Sequence, residues 1–594
     1  MKKKVFIDFE TYFDDEVSVV VQGNDNYIAA ADAYIVAACV EGEEGTCGTL
    51  KEMAPMLEQM AKDPTLEPWA ANSNFDQQWS EKYGWRFRNP WQCALDLSAF
   101  HQYPRNLKGF VKCTSGVEMD KSTRDNMRGT HYEELPPDEQ LKMQEYCFDD
   151  IREMAEAISL VKPMTDIERR IAEYTRWSNR RGVLIDVDRV KKDRDAIEEA
   201  GFAAQKRIPW REDAKLLSVP ALRDWCIANN IPAPISTAKT DDYMTKLMAE
   251  HPALNAVMND LRLHRKSNTM VEKIDALIKR VRPDGVLPMD IFYCGAPHTR
   301  RWSSRGFNVQ NLEKEAIKFG DREVAPREWL IPRPGKTFLI LDYAQAEPRC
   351  LNYMAGNFAL LEAMRAGFSY YEAYARAARG WSGQPGTIKK ELGGKGYTLL
   401  KNECLGCGYG MGWVRFIGYC AERGVVVTEE EAKAVINCFR KNNPLVVKFW
   451  RQMDAVIKQA AISKSRSFEL ETLTGDVLKY FAVRSNKGSY KGYTIRGDFG
   501  KQSIQSNLWG GTLVENCCQR MARDLIAEGI IRCEDAGLVV LFNVHDEVVL
   551  EVDTDNKEEA KRTAIALMTQ EPEWAPGLPL AVDGGFADHY TKLD

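Results

Sequence analysis

Apolar runs that lead into acidic residues recur along the chain. Residues 537–552 (GLVVLFNVHDEVVLEV) hold two β-branched runs, Leu538–Phe542 and Val548–Val552, around a polar centre that includes Asp546 and Glu547. Such runs, separated by a short polar stretch, predict a β-hairpin. One Asn or Asp is enough for a turn, and adjacent carboxylates at the mouth of a buried strand repel each other unless a cation neutralises them. The pattern therefore predicts that Asp546 lies at a cation-binding site.

A second apolar run ends in an acid far away in the sequence. In TFLILDYAQAEPR (337–349) the run leads directly into Asp342. On its own, Asp342 is equally well explained as the cap of a turn. Together with Asp546 it has a chemical interpretation, because two carboxylates on neighbouring strands can hold two Mg²⁺ ions about 4 Å apart. In such a pair one ion activates an attacking oxygen and the other stabilises the leaving oxygen.

The rest of the pattern divides the chain into an α/β part and a longer, more helical part. Residues 1–162 begin with the strand-like VFIDF and then alternate short apolar runs with helical ones, which is typical of an α/β domain. Pro163 followed by Thr165 indicates a linker and a helix N-terminus. Strand signals return at VLPMDIFYCGA, and a glycine-rich helical section covers residues 356–480. We therefore expect a multidomain protein of the α/β and α+β classes.

Composition excludes several classes of protein. The 594 residues are 44% hydrophobic and 28% charged, which excludes wholesale disorder. The net charge of −6 gives no global basic signature, although local Lys and Arg residues can still attract a polyanion. The 15 cysteines show no repeating spacing, so reduced thiols of a cytosolic-type compartment are expected rather than a zinc site. Asp8 and Glu10 interrupt the first apolar run, and we expect neither a signal peptide nor a membrane span.

Four further acids lie in the first part of the chain. FIDFET places Asp8 and Glu10 on one face of a strand, because side chains two residues apart in a strand point the same way. NSNFD supplies Asp76, and YCFDD supplies Asp150, one helical turn after Tyr146. Each acid taken alone is more simply explained as a structural residue.

The motifs together resemble those of family A DNA polymerases, the bacterial polymerase I type. LDYAQAEPR resembles motif A of that family, usually written DYSQIELR, and VHDE (544–547) resembles motif C. HTRRWSSRGFNVQN (298–311) resembles the TGRLSS…NLQN segment, and LWGGTLVENCCQRMARD (508–524) resembles the helix before motif C. NRRGVLID (179–186) resembles the start of the thumb region. These blocks follow the order that the family has.

The resemblance implies a two-domain architecture. The acids of the first part resemble the D-x-E, N-x-x-F-D and Y-x-x-x-D motifs of DEDD 3′→5′ exonucleases, so residues 1–162 are expected to form an RNase H-like exonuclease domain. Residues 163–594 are expected to form a right-hand polymerase domain. Its parts would be a thumb at 165–290, a palm at 291–355 and 481–594, and fingers at 356–480.

The resemblance implies template-directed DNA synthesis from a primer 3′ end with dNTPs. Asp342 and Asp546 would bind two Mg²⁺ ions, for which Mn²⁺ is the alternative, since oxygen ligands accept both. Glu547 would tune the site and His545 would contact the primer end. Glu347 would crowd the sugar 2′ position and so favour deoxynucleotides. Without the resemblance, an ion pair with Arg349 is the simpler explanation of Glu347.

Motif B is the imperfect match. The family pattern RxxxKxxNFGxxYG corresponds here to YTLLKNECLGCGYG (397–410), in which Tyr397 replaces the Arg and Cys404 the Asn. Lys401, Leu405 and Tyr409 share one helical face and would contact the incoming nucleotide. Lys389, Lys390 and Lys395 lie nearby and are candidates to replace the lost guanidinium. They fit a solvated helix face equally well, in which case nothing replaces it. Leu405 lacks a hydroxyl, which predicts poor use of dideoxynucleotides. Further nucleotide contacts are implied for Tyr343, Gln345, Arg349 and Tyr371.

Contacts to primer–template DNA are implied by the remaining blocks. Arg301 would hydrogen-bond in the minor groove, where every base pair offers acceptors. The residue before it, usually Gly in the family, is Arg300 here. Arg523 is either a further contact or a structural residue. The other DNA-binding residues implied by the resemblance are Asn308, Gln310, Asn311, Asn516, Gln519 and His545.

The exonuclease motifs imply a second active site. Asp8, Glu10, Asp76 and Asp150 would bind two metal ions, and Tyr146 would orient the attacking water. Asp149 is excluded by the Y-x-x-x-D spacing. Because all four acids are present, we expect an active proofreading nuclease.

The compact form resembles bacteriophage replicative polymerases, so we expect a phage protein in the cytoplasm of a bacterial host. No 5′-nuclease domain is expected before residue 5. The thumb segment is short, and we expect it to lack the insertion that recruits a processivity factor. Expected partners are primer–template DNA and dNTPs, together with replisome proteins such as helicase, primase or single-strand binding protein. We expect a monomer.

Three other functions remain open at this stage. A single-subunit RNA polymerase of the same superfamily is disfavoured by Glu347 and by the exonuclease motifs. A DNA-binding scaffold with decayed sites would require the loss of a metal carboxylate, and none is missing. A protein in which only the nuclease works would follow from the altered motif B. Primer extension with dNTPs or NTPs, with and without Asp342→Ala, distinguishes these functions.

Overall fold

The computed structural model describes residues 2–234, 242–481, 483–485, 493–499 and 502–593. Parts of the expected thumb and palm segments, among them residues 235–241 and 486–492, lie outside the described residues. None of the described helices combines the length and the apolar character needed to span a membrane.

A five-stranded mixed sheet organises the first part of the chain, in the order β3-β2-β1-β4-β5. Strand β1 is buried on both faces, which is why it reads as a continuous apolar run interrupted only by its acids. Helix α7 covers one face and helices α2 and α3 cover the other, each with its own cluster of buried residues. The elements are β1 (Lys3–Thr11), α1 (Val19–Ala30), β2 (Ala33–Val40), β3 (Thr46–Thr49), α2 (Leu50–Lys62), β4 (Leu66–Ala70), α3 (Ser73–Lys82), β5 (Gln92–Cys93), α4 (Ala94–Phe100), α5 (Leu107–Thr114), α6 (Ser122–Asp125) and α7 (Pro137–Ser159).

A helical segment follows, and its start agrees with the predicted helix N-terminus. Thr165 caps α8 by accepting a hydrogen bond from the backbone N–H of Glu168. Helices α9 and α12 pack along each other, and a small separate core forms where α10, α11 and the start of α12 meet. The elements are α8 (Asp166–Arg181), β6 (Val183–Ile185), α9 (Val187–Lys206), α10 (Val219–Ala228), α11 (Asp242–Glu250), α12 (Pro252–Ile278) and β7 (Val286–Leu287).

The middle of the chain leads through short strands into a long strand and then into a helical region. Strand β13 ends at the acid Asp342 and its neighbour Tyr343, and α16 contains a non-helical residue at Gly393. The elements are β8 (Ile291–Ala296), β9 (Arg301–Ser304), β10 (Ile317–Phe319), β11 (Arg322–Val324), β12 (Leu330–Ile331), β13 (Lys336–Tyr343), α13 (Ala346–Met354), α14 (Phe358–Arg365), α15 (Tyr370–Arg379), α16 (Ile388–Cys407), α17 (Trp413–Ala421), α18 (Glu429–Asn442), α19 (Pro444–Ile462), β14 (Phe468–Glu471) and β15 (Val477–Tyr480).

The last part of the chain completes an antiparallel sheet in the order β19-β20-β13-β21. Strands β19 and β20 form the hairpin that the sequence predicted, which confirms that expectation. The mostly buried helix α20 precedes this hairpin and contacts β19. The elements are β16 (Arg484–Ser485), β17 (Tyr493–Phe499), β18 (Gln502–Leu508), α20 (Gly510–Asp535), β19 (Val539–Val544), β20 (Glu547–Asp553), α21 (Lys557–Met568) and β21 (Val582–Ala587).

A continuous seam joins the first part of the chain to the remainder. Phe100 belongs to the largest buried core of the molecule, and the guanidinium of Arg300 lies 4.2 Å from the centre of its ring. The buried carboxylate of Asp96 pairs with Arg105, at 2.7 Å, and with Arg176 of α8. The Phe100–Arg300 and Asp96–Arg176 contacts join the two parts, and we call these two contacts the interdomain seam. Since they bury charge as well as apolar surface, the two parts pack as one assembly.

Candidate functional site

Strands β13 and β20 bring the two remote acids together. They are antiparallel neighbours, and in their register Asp342 lies opposite Glu547. Asp546 occupies the turn just before Glu547, and its carbonyl oxygen accepts a hydrogen bond from the backbone N–H of Tyr343 at 3.1 Å. Asp342, Asp546 and Glu547 therefore meet at one end of the sheet, and we call them the palm acids. The expected convergence of residues 342 and 546 is confirmed.

The turn that carries Asp546 is supported by a buried amide. His545 has a positive φ of 58°, which a non-glycine residue adopts only when its surroundings hold it there. Gln310 donates from its Nε2 to the carbonyl of Asn543 at 2.6 Å and accepts from the N–H of His545 at 3.2 Å. Gln310 therefore holds the turn, and because it also lines the cavity beside Asp546, its contact with DNA stays a prediction.

The palm acids have no paired cation. Burial, together with the carboxylates of Asp546 and Glu547, raises the pKa of Asp342 to about 7. Burial likewise raises the pKa of Asp546 and of Glu547, although the phenol of Tyr590 donates to Glu547 at 2.6 Å. Among the described residues, none forms an ion pair with any of the three. The charge of Lys314 lowers the pKa of all three without forming an ion pair with any of them. Crowded oxygen ligands of this kind fit a site for divalent cations such as Mg²⁺.

A cavity of about 290 Å³ opens beside the palm acids. The residues that line it include Arg301, Glu347, Gln519, His545 and Asp546. A guanidinium nitrogen of Arg301 lies 3.7 Å from Glu347, whose carboxylate also accepts a hydrogen bond from the Tyr409 hydroxyl at 3.4 Å. The structure thus pairs Glu347 with Arg301, and the simpler sequence-based explanation, a pair with Arg349, is wrong.

Helix α16 approaches this cavity with the residues predicted to contact a nucleotide. Lys401 is exposed, Leu405 is half-buried and lines a second cavity of about 370 Å³, and Tyr409 follows the helix end. Tyr397, which stands where the family has Arg, packs its ring edge-to-face on Tyr371 at 5.9 Å between centres. An aromatic pair therefore occupies the position where the motif would place a guanidinium.

Two predicted nucleotide contacts are corrected. Tyr343 is 1% exposed and its hydroxyl donates to the carbonyl of Met568 at 2.9 Å, beneath the sheet. Its hydroxyl lies so near α20 that a Cβ on Gly529 would approach it to 2.2 Å. Arg349 is 5% exposed and donates to the carbonyls of Ala344 and Pro579, at 2.8 Å each. Both side chains are part of the core and cannot reach a nucleotide.

Gln345 is placed at the start of α13, in a left-handed conformation with φ of 53°. Its side-chain oxygen accepts a hydrogen bond from the N–H of Tyr370 at 3.0 Å, which ties α13 to α15. One end of the Gln345 amide is therefore committed to the fold.

The predicted DNA contacts fall into separate places. Arg301, Gln519 and His545 line the cavity beside the palm acids, whereas Asn308 and Asn311 line another cavity of about 470 Å³ near α12. Asn516 donates to the hydroxyl of Tyr480 at 3.1 Å. The structure brings the first three together and leaves the others apart from them.

A buried ionic cluster lies behind the palm acids, and the sequence did not predict it. Glu168 accepts from Arg520 at 2.8 Å, from Arg523 at 2.6 and 2.9 Å and from the hydroxyl of Tyr293 at 2.5 Å. Burial alone would raise the pKa of Glu168, but Arg523 and Arg520 hold it well below its usual range. Asp524 pairs with Arg520 at 2.9 Å. Arg523 is therefore structural.

One more acid near the palm acids was missed. Asp583 lies opposite Asp342 on the other flanking strand, β21. Its carboxylate adds to the charge that raises the Asp342 pKa. The only signal in the sequence is an isolated acid in LAVDGGF, and the pairing of β21 with β13 cannot be read from that run.

The four acids of the first part also converge. Phe6, Asp8 and Glu10 alternate along β1 on the face that α7 covers, because side chains two residues apart share a face. Asp76, on α3, accepts a hydrogen bond from the N–H of Phe9 at 3.3 Å. Asp150 is on α7, one turn after Tyr146. Asp149 instead pairs with Arg152 at 2.9 Å.

The electrostatics of these acids resemble those of the palm acids. Burial and the neighbouring Asp150 raise the pKa of Asp8 to about 7. Burial also raises the pKa of Glu10 and Asp76, each with Asp8 as the next contributor. We call Asp8, Glu10, Asp76 and Asp150 the N-terminal acids. As oxygen ligands in a confined space, they fit divalent cations.

Two residues near the N-terminal acids were not predicted. The thiol of Cys147 has its sulfur within 4.8 Å of ligand oxygens of Asp8 and Glu10. Lys121 donates from Nζ to the Tyr146 hydroxyl at 2.9 Å and to the two oxygens of Asp150 at 2.8 and 2.5 Å. Lys121 precedes a short helix in a long connection, and no motif points to it.

The comparisons with known proteins agree with this arrangement. The model of the DNA polymerase family A matches residues 232–592. A DNA polymerase of Bacillus phage SP02 is 27% identical over 598 residues, covering 88% of this chain and 89% of that one. The thermostable DNA polymerase I of Thermus thermophilus is 24% identical over 61% of this chain and 40% of its own length.

One solved structure shares the fold over nearly the whole chain. It is the POL domain of Pol1 from M. smegmatis in complex with DNA primer-template and dNTP, with a TM-score of 0.65. The match covers 99% of this chain and 95% of that one at 17% identity.

Proposed function

The chain belongs to DNA polymerase family A, and from that membership we propose that it extends a primer 3′ end along a DNA template with dNTPs. The observation that carries the proposal is the meeting of Asp342 and Asp546 across β13 and β20, without an ion pair among the described residues and beside an open cavity. In this chemistry the protein positions the reactants and neutralises charge rather than forming covalent bonds with them.

The proposal includes a division of labour along the chain. Residues 1–162 would form an RNase H-like 3′→5′ exonuclease domain, and residues 163–594 a right-hand polymerase domain. The helical segment at 165–290 would be the thumb, residues 356–480 the fingers, and residues 291–355 with 481–594 the palm. The separate sheets of the two parts and their different buried cores support this division.

At the polymerase site, Asp342 and Asp546 would hold two Mg²⁺ ions, with Mn²⁺ as the alternative. Bound there, the ions supply Lewis-acid activation of the primer 3′ hydroxyl and neutralise the charge of the departing pyrophosphate. The carboxylate of Glu547 adds negative charge at the edge of the site, and the hydrogen bond that it accepts from Tyr590 fixes its orientation.

The residues around the cavity position the substrates. Lys401 offers an exposed ammonium to the triphosphate as a compact point charge. Glu347, fixed by Arg301 and Tyr409, fills the space beside the sugar and excludes a 2′ hydroxyl. Arg301 and Gln519, with His545 at the turn, face the primer terminus.

At the second site we propose hydrolysis of the terminal phosphodiester of a 3′ end. The N-terminal acids would hold the metal ions, and Tyr146 would orient a water for attack on phosphorus. The bond between phosphorus and the preceding 3′ oxygen breaks, which releases a nucleoside 5′-monophosphate and leaves a 3′ hydroxyl. Removal of misplaced nucleotides in this way would proofread the synthesis.

The relative from Bacillus phage SP02 supports a phage-type replicative role. Primer–template DNA and dNTPs, which are bound in the M. smegmatis structure, would be the substrates of this chain too. Helicase, primase and single-strand binding protein would be its replication partners.

The test is primer extension with dNTPs or with NTPs, by the wild type and by Asp342→Ala. We expect extension with dNTPs only, and a loss of at least about 10³-fold in Asp342→Ala, because the charge stabilisation of the reacting phosphoryl group is lost. Asp553→Asn is a matched control, since Asp553 lies at the far end of β20 and pairs with Lys336 on the surface.

Two results would contradict the proposal. Extension with NTPs at a comparable rate would favour an RNA polymerase. Degradation of the primer without extension, unchanged in Asp342→Ala, would leave only the nuclease, as the altered motif B would allow.

A further inference from the structure

The connection between α5 and α7 places a basic segment over the N-terminal acids. We call residues 119–131 the basic strap. Met119 and Met127 are buried near its two ends. The N–H of Gly129 donates to the carbonyl of Phe13 at 2.8 Å, and the ring of His131 stacks on Tyr12 at 4.5 Å. The strap is thus anchored on both sides of the site.

Lys121 is the residue of the strap whose side chain contacts Asp150 and Tyr146. Its Nζ contacts both oxygens of Asp150 and the hydroxyl of Tyr146, and it lies 4.9 Å from the centre of the Tyr146 ring. Its side chain is 25% exposed, against 9% for Asp150. Within the described part of the chain, this is the one ion pair that any of the N-terminal acids makes.

These contacts conflict with the binding of a metal ion by Asp150. Nζ occupies both carboxylate oxygens, and an ammonium at this distance from a divalent cation would be repelled strongly in a confined site. Lys121 must therefore leave Asp150 when a cation binds there. The side chain is flexible and partly exposed, so it can move without disturbing the anchored ends of the strap.

We propose that Lys121 is a positioning residue with two alternating partners. Without substrate it is the built-in counter-ion of Asp150 and Tyr146. When metal and a single-stranded 3′ end enter, Nζ moves to a non-bridging oxygen of the terminal phosphate, the nearest anion that becomes available. This inference rests on the exonuclease function proposed above.

The proposal explains a difference within the site. Glu10 and Asp76 are buried and Asp8 is half-buried, and none of the three makes an ion pair among the described residues, although the charge of Arg124 acts on Asp8 and Glu10. The pair on Asp150 offsets part of the cost of this crowding until metal arrives. It also explains why the pair is made by a lysine, since a point charge on a flexible stem exchanges partners more readily than a planar guanidinium.

The test measures metal binding and nuclease activity on the full chain. The parent carries Asp342→Ala and Asp546→Ala, so that Mn²⁺ titration without DNA reports the N-terminal acids. In this parent, Lys121→Ala should bind Mn²⁺ about tenfold more tightly, because a charge-assisted competitor is removed. It should also degrade a single-stranded oligonucleotide at least about tenfold more slowly at saturation, because a phosphate contact is lost.

Two further variants make the test specific. Lys121→Arg keeps the charge and should recover part of the nuclease rate. Arg128→Ala is the matched control, because Arg128 lies on the same strap but pairs with Asp15 on the surface at 2.6 Å. It should leave both the Mn²⁺ affinity and the nuclease rate at the parent values. Thermal unfolding of each variant checks that the strap remains folded.

Each outcome decides the matter. Mn²⁺ affinity that is unchanged or weaker in Lys121→Ala overturns the counter-ion role, and an unchanged nuclease rate overturns the phosphate role. Equal effects in Arg128→Ala would mean that Lys121 acts only through the general positive charge of the strap, which would overturn its specific role. If the parent releases no nucleotides and Asp8→Ala changes nothing, the exonuclease proposal fails, while the Mn²⁺ titration still decides the counter-ion role.

Discussion

The ionic cluster and the palm acids both border the cavity of about 290 Å³, because Arg523 and Asp546 lie in its lining, but their charges are balanced in opposite ways. In the ionic cluster, Glu168 is surrounded by guanidinium groups and its pKa is held well below its usual range. Among the palm acids, Asp342 has acids on both flanking strands and its pKa is raised to about 7. Charges that are satisfied within the chain indicate a structural role, whereas charges left without partners indicate a site for something from outside.

The N-terminal acids stand between these two cases. Asp150 has an ionic partner in Lys121, and the other three acids have none within the described part of the chain. The presence or absence of an ion pair therefore distinguishes Asp150 from the other three acids. All four are carboxylates, so the residue types alone would not distinguish them.

Neutralising one of the palm acids should have the largest effect, and it tests whether these acids serve function and not stability. Asp546→Asn should reduce primer extension by at least about 10³-fold, since transition-state charge is no longer neutralised. Because a like charge is removed and Asn is accepted in turns, its urea midpoint in metal-free buffer should be no lower than that of the wild type. A clear loss of stability would mean that Asp546 is structural.

Neutralising an acid of the ionic cluster should have the opposite result, a loss of stability. Glu168→Gln should destabilise the protein by about 3–5 kcal/mol, because two buried guanidinium groups lose the anion that they share and only Asp524 and Asp476 remain to balance them. The measurement is urea unfolding, with the surface variant Glu58→Gln as control, since Glu58 pairs only with Lys62 at an exposed site. If primer extension fell while the unfolding midpoint stayed constant, the assignment of Glu168 to structure would be wrong.

Metal binding at the palm acids should raise the stability of the protein. In an Asp8→Ala background, Mg²⁺ at about 100 times its dissociation constant should raise the free energy of unfolding by about 2.7 kcal/mol. Adding Asp342→Asn and Asp546→Asn should remove this gain, as measured by thermal unfolding with and without Mg²⁺. An equal gain in the triple variant would place the ion elsewhere.

The smallest effect is the pH dependence of the ionic cluster. Because the folded pKa of Glu168 lies below its unfolded value, the pair stabilises the protein above that unfolded value and the stability is lost as the pH falls. Below about pH 4.5 this one proton contributes a slope of about 1.4 kcal/mol per pH unit. Glu168→Gln should lack that contribution in urea titrations at several pH values. Parallel slopes in both proteins would contradict it.

Local spacing pointed to the acids, and the resemblance to family motifs grouped them. Asp8 and Glu10 obey the strand period, Tyr146 and Asp150 the helix period, and Asp546 the turn of a hairpin. The contacts that span long stretches of sequence could not be predicted. Tyr343 was expected to contact the nucleotide, and only the packed structure shows that it belongs to the core. Likewise, only the structure shows that Gln310 holds the hairpin turn. Lys121 and Asp583 carry no motif, since their importance arises from a loop path and from a strand register.

The interdomain seam has a consequence for how such a gene can change. Deleting residues 1–162 would take Phe100 from beneath Arg300 and Asp96 from Arg176, leaving two guanidinium groups without the partners that they have here. Shortened products that retain only residues 163–594 should therefore accumulate poorly. If the segment carries the proposed proofreading activity, that activity is lost more easily by replacing a single acid than by deleting the segment. The fold of residues 1–162 should then persist after its chemistry has gone.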